Sequence, residues 1–591
     1  MTPRPAPRRG LIQPPERPER RRRRGPVRPS DYPPPFTPSE ALAEPTDPED
    51  ERIEVGVLVV GAGPAGLACA IRLGQLLQDA PEIAERLGDV PVAVLDKGKQ
   101  PGAHLLSGAV VNPRSLRRLF HGTKTAADMP FFGPVEDENV LYLDRHGSFR
   151  VPIPPMMRNH GNYVGSVVNL GRWMADEAEQ VGVTILPETA AEKLLLAGGA
   201  RVVGVRTGDK GRGRNGEPLA NFEPGSDVLA RITVLAEGTQ GHLTGAAIER
   251  FGLEGQSPQV WALGVKEVWR VPRPLRRVIH TLGWPLRGRG RYREFGGSFI
   301  YPMGSDMLTI GMVVGLDYRD TAFSVHDVLQ ELKTHKLVRR LLEGGERIEW
   351  GAKTIPEGGF LALPKRLHAP GLLLCGDGAG MVNVPALKGI HYAVESGRLA
   401  AEAAFAALGR GRTPWTPRVL AAYDEAVRSS FIWGDLERVR NMRPAFAHGF
   451  WVGGALATAA TMSFGKLPPR NARLERDADV PLIRTARDGR YPISDGKLTF
   501  DKLSSVFLSG NKTRDDAPDH LRVQRRVPLP LAELWSSMCP AHVYELGESH
   551  ADGTVTVEVT PSNCVQCGAI TAKGGRLTPP EGGAGPEYKV T

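Results

Sequence analysis

An α/β fold built on a parallel sheet is what this sequence predicts, and three observations carry the prediction. A β-branched apolar run, Val55 to Val60, enters Gly61-Ala62-Gly63-Pro64-Ala65-Gly66 and then the helical stretch Leu67 to Leu77. A second apolar run, Val90 to Leu95, ends at Asp96. A third, Gly371 to Cys375, lies far downstream, ends in Gly376-Asp377 and is followed by a helix from about Gly389 to Leu408.

The first element reads as a buried parallel strand because it is short, continuous and apolar. Its G-x-G-x-x-G sits between strand and helix, the context that gives the motif meaning. Gly61 permits the tight turn, Gly63 lets backbone approach a pyrophosphate, and Gly66 lets helix and strand pack closely. The helix N-terminus then presents free N–H groups and a positive dipole end to phosphate. Asp96 ends the second strand, where an acid hydrogen-bonds ribose hydroxyls, although it lies further on than the roughly 20 residues expected. Ile232 to Ala236 is a third strand, ending in Glu237-Gly238. The late strand distinguishes FAD from NAD. Two-part flavoproteins place the acid after such a strand near the ribityl chain, and the dipole of the next helix stabilises charge on the reduced ring. Asp377 and Gly376 are the candidates here. Cys375 reads as a small buried residue.

Composition bounds the rest. The chain has 591 residues, 41% of them hydrophobic, enough for several packed domains. Its net charge is +9, but residues 1–29 hold ten Arg and two Glu, so the body is close to neutral. Residues 1–50, dense in Pro and Arg, read as a disordered tail, either solubilising or in contact with anionic lipid. The tail lacks interleaved aromatics, so no specific nucleic-acid partner is expected. No apolar stretch follows the arginines, so no secretory signal is read there. Five cysteines do not suggest a disulfide framework. Pro444 to Gly465 carries no formal charge apart from a protonatable His448 and is padded with Gly, Ala, Ser and Thr, which suits a membrane-surface or packed helix better than a span.

Several further stretches resemble one family, electron-transfer flavoprotein:ubiquinone oxidoreductase. They are Gly102 to Ala109, Asn159 to Tyr163, Gly283 to Leu286, Phe295 to Phe299, Gly311 to Tyr318, Ile355 to Phe360 and Asn383 to Gly389. The resemblance is dense from about Val55 to Phe405 and returns from about Pro492 to Tyr588. It implies a fold that is α/β plus α+β: a two-dinucleotide-type FAD fold with an inserted quinone-binding domain and a C-terminal ferredoxin-like domain.

The implied organisation is a tail at 1–50, FAD-binding parts at 53–260 and 356–440, and a quinone domain at 261–355. A membrane-surface segment follows at 441–470 and a ferredoxin-like domain at 480–591. Ser107 and Gly108 join the expected FAD contacts. Gly296 and Gly297 match the family's quinone site, where bare backbone can reach a quinone carbonyl; a strand kink is the alternative reason for two glycines. The implied activity is FAD-dependent electron transfer from reduced electron-transfer flavoprotein to a membrane quinone, ubiquinone or menaquinone. The implied place is a monotopic contact on the cytoplasmic face of a membrane, without a transmembrane helix.

The pattern breaks at the iron–sulfur site. Cys539, Cys564 and Cys567 match three of the family's four cluster ligands, and the fourth position is Ile570. Four thiolates ordinarily hold a [4Fe-4S] cluster. Three leave a [3Fe-4S] cluster, a [4Fe-4S] cluster with a non-cysteine ligand, or no cluster. Structural zinc with His542 is a fourth reading.

Two competing functions stand beside the main one. An FAD-dependent reductase or hydroxylase of an apolar substrate would use NAD(P)H, but the stretch Glu237 to Leu243 lacks the Asp-Gly, Ser and Arg features expected for that chemistry. A non-catalytic membrane-docked scaffold would have no use for Gly296 and Gly297. No acid–base residue is assignable beyond the flavin.

Overall fold

The computed structural model describes residues 25–46, 48, 52–288, 290–409, 417–445, 450–463, 465–467, 474–486 and 491–591. The strand Ile53–Val60 is buried from Val55 onward and forms the centre of a parallel array. Val92–Leu95 pairs on one side (Val57↔Val92) and Asp227–Leu235 on the other (Leu235↔Val60). Thr184–Leu186 and Leu372–Leu374 extend this array outward in parallel. Antiparallel strands Ala191–Ala197 and Arg201–Thr207 complete one side of a nine-stranded sheet. All three predicted strand–turn elements therefore meet in one sheet, with their C-terminal ends side by side.

The helices Pro64–Gln78 and Ile390–Gly409 cross closely, which their small residues permit. A Cβ on Gly397 would lie 2.0 Å from the carbonyl oxygen of Ala65, so only glycine fits at that crossing.

A second, seven-stranded sheet runs in the order Glu346–Pro356, Trp261–Arg270, Met307–Gly315, Gly296–Met303, Val278–Gly283, Glu138–Leu143, Ser148–Val151. Five of these strands fall in the expected quinone unit, 261–355. The last two come from the span expected to belong to the first FAD part, so the sheet is larger than the sequence boundary implied. They join through a parallel pairing of Val278 with Glu138, a non-local contact with no sequence signature. Helices Val325–Thr334 and Lys336–Leu342 accompany this sheet.

The C-terminal unit has a three-stranded antiparallel sheet (Arg526–Pro528, Thr554–Val559, Tyr544–Ser549) and the helix Leu529–Met538. Trp535 from this helix and Trp350 from the seven-stranded sheet are both fully buried in one shared core. Tyr588 returns to the first sheet's domain, its N–H donating to the carbonyl of Ala103 at 3.0 Å.

The expectation of disorder across residues 1–50 is corrected for residues 25–46; residues 1–24 lie outside those described, as do 47 and 49–50. Leu42–Ala43 adds a short parallel edge strand to Leu194–Leu195, and Ala41 is 1% exposed. Val27 and Tyr32 pack on the core shared with the C-terminal unit. Composition misled because a Pro-rich segment starts with few conformations to lose, so modest docking contacts suffice to order it.

Candidate functional site

One cavity of about 910 Å³ opens where the two large sheets face each other. That is the upper end of the size range of cofactor pockets. Its lining includes Gly61, Gly63, Asp96, Glu237 and Gly238 together with Gly296, Gly297, Pro385 and Thr458. Ser107, Gly108 and Asp377 line it as well.

The glycine loop is fixed by contact. A Cβ on Gly66 would lie 2.0 Å from the carbonyl oxygen of Gly61, so strand and helix approach as close as backbone allows. Gly66 and Gly376 are absent from the cavity lining and act on the packing behind it. Gly63 precedes the first helical turn and faces the cavity, leaving the helix N-terminus open to an anionic group.

Two of the three acids that the sequence singled out do structural work at the cavity wall. Asp96 accepts hydrogen bonds from the N–H groups of Ala62 and Gly98, each at 2.7 Å, which locks the glycine loop to the second strand. Burial raises its carboxyl, and those two N–H groups oppose the rise. Glu237 accepts from the N–H of Leu243 (3.0 Å) and from the N–H and hydroxyl of Thr244 (2.6 and 2.7 Å). It thereby caps the helix His242–Arg250. At the late strand, the N–H of Gly376 donates to Ser396 Oγ at 3.0 Å. Asp377 lines the cavity, and burial pushes its carboxyl up to about 6.

Ser107 and Gly108 are held from below by Lys266, which sequence reasoning missed. Its side chain is 1% exposed, and Nζ donates to the carbonyl of Ser107 at 2.7 Å. Burial lowers its ammonium, with the Glu349 carboxylate opposing. The signal was present: Lys266-Glu267 interrupts the otherwise apolar strand Trp261–Arg270, and lysine is almost never fully buried without a partner. Lys353, on the strand Glu346–Pro356, is a second, half-buried lysine in the wall, and its Nζ donates to the carbonyl of Gln566 at 3.2 Å.

Gly296 and Gly297 reach the same cavity, but close strand approach also dictates their identity. A Cβ at Gly296 would lie 2.0 Å from Val313 O, and one at Gly297 would lie 2.6 Å from Thr281 O. The helix Phe450–Met462 contributes Gly454, Ala455, Ala457 and Thr458 to the cavity lining. Within the expected membrane segment, residues 446–449, 464 and 468–470 lie outside those described. The segment is tied down by Arg443. Its guanidinium bonds Asp317 and Glu357, each at 3.0 Å, and stacks over Phe295 at 4.6 Å.

Cys539, Cys564 and Cys567 are brought together, with Ile570, around a small void in the C-terminal unit. Burial raises all three thiols, Cys567 to about 12. His542 is not part of the lining; its Nε2 pairs with Glu545 Oε1 at 2.8 Å on the surface, against the zinc reading. Among the described residues, no group of three His, Cys, Asp or Glu side chains could hold a single metal ion. The void and the large cavity share a wall, since Gln566 and Gly568 line the cavity while Gly568 also lines the void.

The residues present fit FAD. There is an open helix N-terminus at Gly63, acids at the ends of two strands, and at Gly238 a backbone with φ +73° beside which a Cβ would meet no atom within 4 Å. Ile570, the position that the resemblance assigns to a fourth ligand, lines the void beside the three cysteines with an alkyl side chain.

Comparison with known proteins was made by sequence and by structure. Residues 261–355 match the family described as ETF-QO, ubiquinone-binding. Residues 496–589 match the one described as electron transfer flavoprotein-ubiquinone oxidoreductase, 4Fe-4S. The chain is 39% identical over 559 residues to the mitochondrial electron transfer flavoprotein-ubiquinone oxidoreductase of Oryza sativa subsp. japonica, covering 91% of this chain and 93% of the relative. It is 36% identical over 569 residues to the Pseudomonas aeruginosa protein of that description, covering 91% and 99%. Among solved structures, a geranylgeranyl bacteriochlorophyll reductase-like protein from Thermoplasma acidophilum is similar at TM-score 0.53 and 15% identity, over 70% of this chain and 96% of that one. That likeness concerns the FAD-dependent oxidoreductase fold alone.

Proposed function

The chain belongs to the electron transfer flavoprotein-ubiquinone oxidoreductase family and is an enzyme that passes electrons from electron transfer flavoprotein to ubiquinone, and on that premise we propose how its residues divide the work. FAD occupies the large cavity. Gly61 and Gly63 would hold its pyrophosphate, Asp96 its ribose, and Ser107, Gly108, Glu237, Gly238 and Asp377 its ribityl chain and ring, with Gly66 and Gly376 packing behind the wall. The quinone head lies against Gly296 and Gly297. FAD supplies a centre that takes electrons in ones or twos. The protein supplies its position and a water-poor path to the quinone.

The observation that carries this reading is the continuity of the cavity. Gly61 and Gly63 line the same space as Gly296 and Gly297, so ligands held at the two places would share one cavity. A hydroxylase using NAD(P)H is disfavoured by the family membership itself.

Membrane contact belongs to the same proposal. No described helix is long and apolar enough to cross a membrane. The helix Phe450–Met462 carries no charged residue, lines the cavity on one face, and exposes Val452 (58%) and Leu456 (45%) on another. A helix of this kind lies in the interface with its apolar face sunk about 5–10 Å, where a lipid-soluble quinone could enter beneath it. In the C-terminal unit, iron bound at the family's cluster position is held by three thiolates, with Ile570 in place of the fourth.

Ala455→Trp tests the quinone path. Ala455 lines the cavity, and an indole there narrows it. The expected result is full FAD content with the KM for a ubiquinone analogue raised at least tenfold. An unchanged KM would place the quinone elsewhere.

A further inference from the structure

The cluster position holds more than a damaged copy of a four-ligand site. Cys539 ends the helix Leu529–Met538, Cys564 and Cys567 lie on the loop after Asn563, and Ile570 lies on the turn Ala569–Ala572. All four line one void, and apart from Tyr544 the remaining lining is apolar. The Ile570 side chain is 5% exposed and pressed on Gly575, where a Cβ would come within 2.5 Å of Ile570 Cγ1. Ile570 brings only alkyl carbon to its part of the void, so it offers no atom that could bind iron or hydrogen-bond a water on a fourth iron.

The three sulfurs, by contrast, are well provided for. The backbone N–H of Gln566 donates to Cys564 Sγ at 3.3 Å, and the backbone N–H groups of Ala541, His542 and Val543 beside Cys539 and of Ala569 beside Cys567 oppose the rise that burial imposes on those thiols. Gln566 adopts φ +52° to do this, a conformation that costs a non-glycine residue about 1 kcal/mol or more. A neutral thiol is a weak acceptor and needs none of these donors, whereas cluster-bound thiolates are tuned by them. The half-buried lysines Lys97 and Lys353 stand in electrostatic reach of Cys564.

We propose that Cys539, Cys564 and Cys567 hold a [3Fe-4S] cluster, a cubane whose missing iron corner faces Ile570. The inference rests on the three-thiolate reading above and deepens it. Each thiol loses its proton and binds one iron, and no fourth protein ligand is called for. The oxidised core carries one positive charge and the thiolates three negative, so the site is anionic beside two lysine ammonium groups.

The test uses the full-length holoprotein, purified without air and then oxidised with ferricyanide. Iron and sulfide are counted per FAD, and low-temperature EPR is recorded before and after dithionite. The proposal expects about three irons and four sulfides per FAD. It expects a signal in the oxidised protein that is lost on reduction and survives incubation with ferrous iron and a thiol. Ile570→Cys should take up a fourth iron and move the signal to the reduced state. Iron-free protein overturns the proposal, as do about four irons with a signal only after reduction. A ubiquinone-reduction assay on the same sample separates the two levels of the account. Activity without iron sinks only the cluster, whereas three irons without activity sinks the proposed function.

Discussion

Thr354 donates both its backbone N–H (2.8 Å) and its hydroxyl (2.9 Å) to the carbonyl oxygen of Cys567. The same hydroxyl lies 2.9 Å from that of Thr239, a residue of the large cavity's wall. The cysteine loop is thus fastened to the edge of the proposed flavin site through one side chain. Thr354→Val keeps the volume and the backbone bond and removes the hydroxyl. Losing that bond should cost about 1 kcal/mol, read as a lowered Tm, with faster release of iron to a chelator than in the wild type. Unchanged iron release would mean that the backbone bond alone fixes the loop.

Glu237 gives its carboxylate to the N-terminus of the helix His242–Arg250 while lining the cavity. Glu237→Ala should therefore lose about 1–2 kcal/mol of cap stability. It should also lower flavin absorbance per protein, because the Glu237–Gly238 turn shapes the cavity wall. A variant that loses stability yet keeps full FAD would confine Glu237 to the cap.

Asp377 makes stability depend on pH. Its carboxyl is raised by burial from 3.8 to about 6, so the folded protein holds this proton more tightly than the unfolded chain does. The contribution is complete below about pH 3.8 and is lost as pH rises through about 6. In FAD-free protein, the Tm of wild type minus that of Asp377→Asn should fall between about pH 4 and about pH 6.5 and then level off. A difference that stays flat across that range would show that the carboxyl titrates normally.

The double substitution Val452→Glu and Leu456→Glu places two charges on the exposed face of the helix Phe450–Met462. Binding to phospholipid vesicles, followed by flotation, should drop at least tenfold while FAD content is kept. Undiminished flotation would move the membrane contact to another surface.

The readable parts of this protein were the local ones. Gly61 to Gly66, Asp96 and Gly376-Asp377 stood out because each is a strand end followed by a turn whose chemistry is fixed within a few residues, and the structure brings those strand ends together. The three cysteines and Ile570 were equally visible, and they meet in one void. What escaped was set by partners distant in sequence. Glu138–Leu143 joins the second sheet through Val278–Gly283, and residues 25–46 are ordered by docking rather than by composition. Lys266 matters because of Ser107, far away along the chain. The glycine pair 296–297 was legible, but one reason for it, a neighbouring carbonyl 2.0 Å or 2.6 Å from each missing Cβ, exists only in three dimensions.

The central claim is that flavin in the large cavity connects electron transfer flavoprotein to ubiquinone. Its most direct test is an anaerobic titration followed by flavin absorbance: reduced electron transfer flavoprotein is added first, then a ubiquinone analogue. The account predicts bleaching of this protein's flavin in the first step and its full return in the second. A flavin that stays oxidised with the donor, or stays reduced with the quinone, would contradict it.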